Sequence, residues 1–154
     1  MMNETQRKLL VVDDDPRLRD LLQRYLREHQ FEVSVAADGA AMSRLLLREK
    51  FDLIILDPPK FAPSVHHVDR AARAYKELNL KALRLLNPGG LLFTFSCSGA
   101  IGVELFQKIV AGAVFDAGVD AQLLRRLGAG LDHPMQMTHP EGEYLKGLML
   151  RVMG

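Results

Sequence analysis

Side chains able to do chemistry gather at three places in this sequence, each directly after an apolar run of strand length. KLLVV (8–12) leads into Asp13, Asp14 and Asp15, FDLIIL (51–56) into Asp57, and LLFTFS (91–96) into Cys97. If the first and third strands are neighbours, Asp13, Asp14 and Asp57 meet at one rim of a sheet. Unpaired, such carboxylates repel one another and lose solvation at a cost of several kcal/mol, so a cluster of this kind normally holds a divalent cation. The same residues also allow a blander arrangement, in which Asp15 caps a helix and its neighbours are solvated acids. The single cysteine excludes an internal disulfide and any multi-cysteine metal site, and by residue type alone it is a small buried apolar side chain.

The elements that must position these groups alternate in period. Asp15 followed by Pro16 is a helix start, with Leu18, Leu21, Leu22, Tyr25 and Leu26 at helical spacing behind it. FEVSVAA (31–37) alternates as a strand, and Asp38 opens a second helix. FDLIIL is apolar nearly throughout, as expected for a strand covered on both faces. A helical pattern from about His67 to Leu86 carries Ala71, Tyr75, Leu78, Ala82 and Leu85, and Asn87-Pro88-Gly89-Gly90 stops it. A fourth strand at 91–96, a helix at 101–117 ending at Gly118, and strands at 121–127 and 144–152 complete the pattern, with a Gly-, Pro- and His-rich loop between the last two. No helix separates those last strands, so they are expected to be antiparallel neighbours. The predicted fold is a three-layer α/β domain with one mostly parallel sheet, a flavodoxin-like and Rossmann-like hybrid with strand order 2-1-3-4-6-5 and strand 6 antiparallel. Residues 1–154 are expected to form a single domain.

Bulk composition narrows the function classes. The 154 residues are 48% hydrophobic and 25% charged with net charge +1, which is globular composition and gives no global attraction to a polyanion. Arg17, Arg19, Arg24 and Arg27 leave room for a local basic face. The apolar runs are far too short to span a bilayer, and the start lacks a signal-peptide pattern, which points to a cytoplasmic protein. His66 and His67 are adjacent and point different ways, and His133 and His139 lie in the loop, so none suggests a metal site. Arg125 and Arg126 read as a solvated strand edge rather than a phosphate contact.

LLVVDDDPRLRDLLQRYL and FDLIILD resemble the first half of a response-regulator receiver domain of the OmpR type, over about a third of the chain (residues 1–57). The resemblance implies a magnesium site at Asp13, Asp14 and Asp57, with Asp57 as phosphoacceptor. After Asp57 the pattern departs from a receiver: the loop is Pro58-Pro59-Lys60-Phe61, and AQLLRRLGAG supplies no lysine at its strand end. From Phe51 onward, FDLIILDPPKF, YKELNLKALRLLNPGGLLFTFSCSG, LFQKIV and DHPMQMTHPEGEYLKG resemble the C-terminal part of the RlmI-type family, S-adenosylmethionine-dependent methyltransferases that make 5-methylcytosine in large-subunit ribosomal RNA. That likeness implies Asp57 as the acid near the target base and Cys97 as the nucleophile. Cytosine carbon 5 becomes nucleophilic only after a thiolate adds at carbon 6, which is why the chemistry requires such a residue. It also implies Pro58 and Pro59 beside the cofactor.

A methyltransferase of this fold approaches its cofactor through a glycine-rich first turn and holds the ribose with an acid after strand two. Here the first turn is Val12-Asp13-Asp14-Asp15-Pro16, with no glycine, and Asp38 is either that ribose acid or a helix cap beside Gly39. The family's RNA-binding N-terminal region is likewise expected to be absent. The expectation is therefore an engineered chimera of a receiver half (1–57) and a methyltransferase half (58–154), with S-adenosylmethionine and RNA binding lost and no complete native activity. Lost receiver helices would leave an apolar face suited to a homodimer.

Overall fold

The computed structural model describes residues 5–59, 61, 65–128 and 145–154. Six strands form one sheet: β1 (Lys8–Asp13), β2 (Glu32–Ala36), β3 (Phe51–Asp57), β4 (Leu86–Ser96), β5 (Ala121–Leu127) and β6 (Lys146–Val152). Their order is β2-β1-β3-β4-β6-β5, parallel from β2 to β4, with β6 antiparallel to both β4 and β5. Order and direction are those expected from the alternation of periods.

Four helices cover the sheet: α1 (Pro16–Glu28), α2 (Gly39–Leu45), α3 (Val68–Leu85) and α4 (Val103–Ala117). α1 starts where Asp15 caps it, its carboxylate accepting the Arg17 N–H at 2.9 Å with Pro16 in the first turn. α4 stops at Gly118, whose φ of 70° is a left-handed conformation that costs glycine nothing.

The two faces are packed unequally. Leu22 and Leu26 of α1 meet a small cluster of Leu9, Val11 and Val33 on one face. On the other, α2, α3 and α4 enclose the main core, in which Phe51, Tyr75 and Phe106 are fully buried. Each such aromatic contributes about 1.5–3 kcal/mol of burial. No residue of α1 is buried, and Leu21 and Tyr25, which share its apolar spacing, are 60% and 56% exposed.

One boundary differs from the sequence expectation. β4 begins at Leu86 rather than Leu91, so the helix-stopping Asn87-Pro88-Gly89-Gly90 lies inside the strand. It is accommodated by a bulge. Phe51 pairs with Leu86, the register then shifts, and Leu53 pairs with Leu91. Gly89 takes a φ of 82°, and the Asn87 amide donates to Asp52 Oδ1 at 3.1 Å.

Candidate functional site

All three chemistry-bearing places lie at one rim, because β1, β3 and β4 are parallel and end together. Asp13 and Asp57 are direct partners in the β1–β3 register. Asp13 is 4% exposed, accepts the Asp15 N–H at 2.8 Å through Oδ1, and its carbonyl accepts from Arg19 Nη1 at 2.7 Å. The two carboxyl groups also hydrogen-bond to each other. Burial, reinforced by the Asp13 charge and that hydrogen bond, raises the Asp57 pKa to about 6. Burial likewise raises Asp13, against the opposing pull of the Asp15 N–H. Below about pH 6 a proton on Asp57 therefore relieves the repulsion between the two carboxyl groups, and above it the pair carries both charges.

The expected magnesium set of Asp13, Asp14 and Asp57 is brought together only in part. Among the described residues no group of three or more His, Cys, Asp or Glu is arranged to hold a metal ion. Asp13 and Asp57 face each other, while Asp14 is exposed and turned to a neighbouring cavity. His66 and His67 form an exposed 3-10 turn, and His133 and His139 lie outside the described residues.

That cavity, about 520 Å³, lies between the ends of β1, β2 and β3 and the side of α3. Asp14, Asp38, Gly39, Pro58, Pro59 and Phe61 line it, together with Leu78 and Glu77 from α3. Its size is ordinary for a small-molecule site. Asp38 caps α2, accepting the Ala41 N–H at 2.9 Å through Oδ1, and its side chain is exposed on the cavity side. Cap and cavity residue are therefore the same residue. The β1 turn offers the cavity little in return. The N–H of Asp15 is held by Asp13 and the N–H of Arg17 by Asp15, so two of the donors a glycine-rich turn would present to a ligand are already taken.

Cys97 follows β4 and is half-buried. The turn that carries it is anchored by residues that sequence reasoning did not single out as functional. The Tyr75 hydroxyl lies 2.6 Å from Ser98 Oγ and 3.5 Å from the Pro59 carbonyl, bridging the Pro58-Pro59 loop and the Cys97 turn. Lys146, 4% exposed, donates from Nζ to the carbonyls of Ser98 and Ile101, both at 2.7 Å. Tyr75 looked like one more apolar helix position. Lys146 was legible in principle: an antiparallel β6 beside β4 brings the first residue of β6 to the rim where the parallel strands end. Elsewhere, Arg126 is engaged with Gln107 Oε1 at 3.1 and 2.8 Å, and Arg19 and Arg27 with backbone carbonyls. The basic residues of α1 are thus partly committed to the fold.

A doubly wound sheet with an antiparallel β6 between β4 and β5, and a ligand-sized cavity at the strand ends, defines a methyltransferase-type α/β fold. Solved structures agree on that fold. One described as a SAM-dependent methyltransferase from Streptococcus mutans superposes with a TM-score of 0.70 at 19% identity, covering 96% of this chain and 45% of that one. NSun6 from Pyrococcus horikoshii with SFG gives a TM-score of 0.59 at 20% identity, covering 96% and 42%. In sequence, the ribosomal RNA large subunit methyltransferase I of Tolumonas auensis is 56% identical over 105 residues, 68% of this chain and 26% of that protein. The protein of the same name from Serratia proteamaculans is 43% identical over 152 residues, covering 95% and 38%. The chain thus spans well under half the length of these relatives. Residues 9–58 match the response regulator receiver domain. The chain joins a receiver-like segment to a segment similar to ribosomal RNA large subunit methyltransferase I.

Proposed function

We propose that this chain is a recombined, engineered α/β scaffold that keeps the nucleoside half of a methyltransferase cofactor site, has lost the methionyl half, and completes no methyl transfer. One observation carries the proposal. Asp38, Pro58, Pro59 and Phe61 line one cavity, while the N–H groups of Asp15 and Arg17 beside it are held by aspartate side chains. Apolar Pro59, Phe61 and Leu78 suit a purine face, and the second carboxylate oxygen of Asp38 suits the ribose hydroxyls. The methionyl carboxylate would meet Asp14 and a turn with few donors to offer, so repulsion and unpaired backbone set against its binding. S-adenosylmethionine supplies an activated methyl group in a complete site; here the chain's residues hold only the nucleoside. Complete loss of the cofactor, the expectation from the missing glycines, goes further than this cavity supports. The join within FDLIILD, a strand in register for both parents, supports assembly by recombination. No observation favours phosphoryl acceptance at Asp57, whose carboxyl is engaged with Asp13.

Calorimetry with adenosine and S-adenosylhomocysteine tests the proposal. The two should bind weakly and within about tenfold of each other, because the amino-acid tail adds nothing. Asp38→Asn, which retains the helix cap, should weaken both equally. S-adenosylhomocysteine binding about a hundredfold tighter than adenosine, or binding by neither, would overturn it.

A further inference from the structure

The cavity at the ends of β1, β2 and β3 carries charges that do not balance. Among the described residues that line it, Lys81 is the one cation, and it is already engaged. Its Nζ lies 3.4 Å from Glu77 Oε1 and donates to the Gly39 carbonyl at 3.3 Å. Asp14 and Asp38 face the same space, both exposed, and neither forms an ion pair among the described residues. The backbone beside them is filled in the same sense. The Asp15 N–H is held by Asp13, the Arg17 N–H by Asp15 and the Ala41 N–H by Asp38, at 2.8, 2.9 and 2.9 Å. Three donors that could receive the negative end of a ligand thus already hold carboxylates of the chain itself. Asp13 and Asp57, paired at the adjoining strand ends, add to the acidic side. The rest of the wall, including Pro58, Pro59, Phe61 and Leu78, is apolar. Such a cavity attracts an apolar ring that carries a positive group and repels one that carries an anion.

We propose that the cavity selects a nucleoside whose 5′ substituent is cationic, an amine or sulfonium chain without a carboxylate, and that Asp14 is the residue that reads the charge. The inference rests on the nucleoside reading above and adds to it the sign of the tail. With Asp38 at the ribose hydroxyls, the 5′ substituent extends toward the β1 turn, where Asp14 lies. The ammonium and the carboxylate of S-adenosylhomocysteine act there in opposite directions, so that tail adds little over adenosine. A tail bearing the positive charge alone adds affinity.

Calorimetry with three ligands of the same purine and ribose tests the inference: adenosine, 5′-amino-5′-deoxyadenosine, which is protonated at neutral pH, and adenosine 5′-carboxylate. The amine should bind about tenfold tighter than adenosine and the carboxylate about tenfold weaker, as expected for unit charges meeting a carboxylate across partly solvated space. Added salt should shrink both differences and leave adenosine unchanged. Asp14 is exposed, so Asp14→Asn should leave the fold in place. In that variant the amine should fall to within about threefold of adenosine, which itself should bind as before. An amine no tighter than adenosine would overturn the inference and leave the nucleoside reading standing. An amine preference undiminished in Asp14→Asn would also overturn it, because the charge would then be read elsewhere. Binding by none of the three would overturn both readings.

Discussion

At the β1 end of the rim, backbone N–H groups are held by side chains two places away in the chain; at the β4 end, the turn is also held from across the molecule. Asp13 takes the N–H of Asp15, and Asp15 takes the N–H of Arg17. Ser98, by contrast, is held by Tyr75 at a separation of 23 residues and by Lys146 at 48. Locally satisfied turns form wherever their own few residues are present. Distantly satisfied turns form only when the remote elements are in place. The receiver-like segment brings the first kind, so it can be joined to a foreign half without its own later strands. The methyltransferase-like segment brings the second kind complete, with α3, β4 and β6 all in one piece.

The comparison is broken most severely by removing a distant partner. Lys146→Met should cost about 2–3 kcal/mol in urea unfolding, because the buried Ile101 and Ser98 carbonyls each lose a donor, although the Ser98 carbonyl still accepts the Ile101 N–H. A loss below about 1 kcal/mol would mean that the turn is supported by other contacts.

The next effect belongs to the acid end. Asp57 has a folded pKa of about 6 against an ordinary 3.8, so the folded chain holds its proton more tightly than the unfolded chain. The stability it contributes is fully present below pH 3.8 and is lost as pH rises through about 6. After discounting for solvent screening at this half-buried group, the fall is about 1–2 kcal/mol. Asp52 works in the opposite direction. Its pKa is lowered by the Lys8 N–H, so its contribution is present above 3.8 and is lost only as pH falls through its lower folded value. Between pH 4 and 7 the Asp57 trend should dominate. Urea midpoints should therefore be higher at pH 5 than at pH 7.5, and Asp57→Asn, with a neutral donor in place, should flatten the difference.

Smaller changes sharpen the contrast. Asp15→Ala should cost about 1 kcal/mol in urea unfolding through loss of the α1 cap. Leu21→Ser on the outer side of α1 should change stability by less than about 0.5 kcal/mol, since that side chain is 60% exposed.

The same division explains what could be read from the sequence. Strand runs, helix starts at Asp15 and Asp38, the stop at Gly118 and the strand order rest on local periodicity and capping, and all are found in the structure. The carboxylates were identified as partners, but the raised Asp57 pKa depends on how deeply Asp13 and Asp57 are buried against each other, which the sequence does not display. Pro88 and Gly89 look like a loop because bulge formation depends on β3, which lies more than thirty residues away in the chain. Lys146 and Tyr75 were overlooked for the same reason. Their roles exist only once β6 has been placed beside β4 and α3 over it.

The claim that the acid end satisfies itself is tested most directly by NMR titration of the aspartate carboxyl carbons, with and without millimolar magnesium. One carboxyl, absent from Asp57→Asn, should titrate near pH 6 and be unmoved by the cation. A rim whose aspartates all titrate near their ordinary value, or one whose titration shifts to lower pH on adding magnesium, would contradict it.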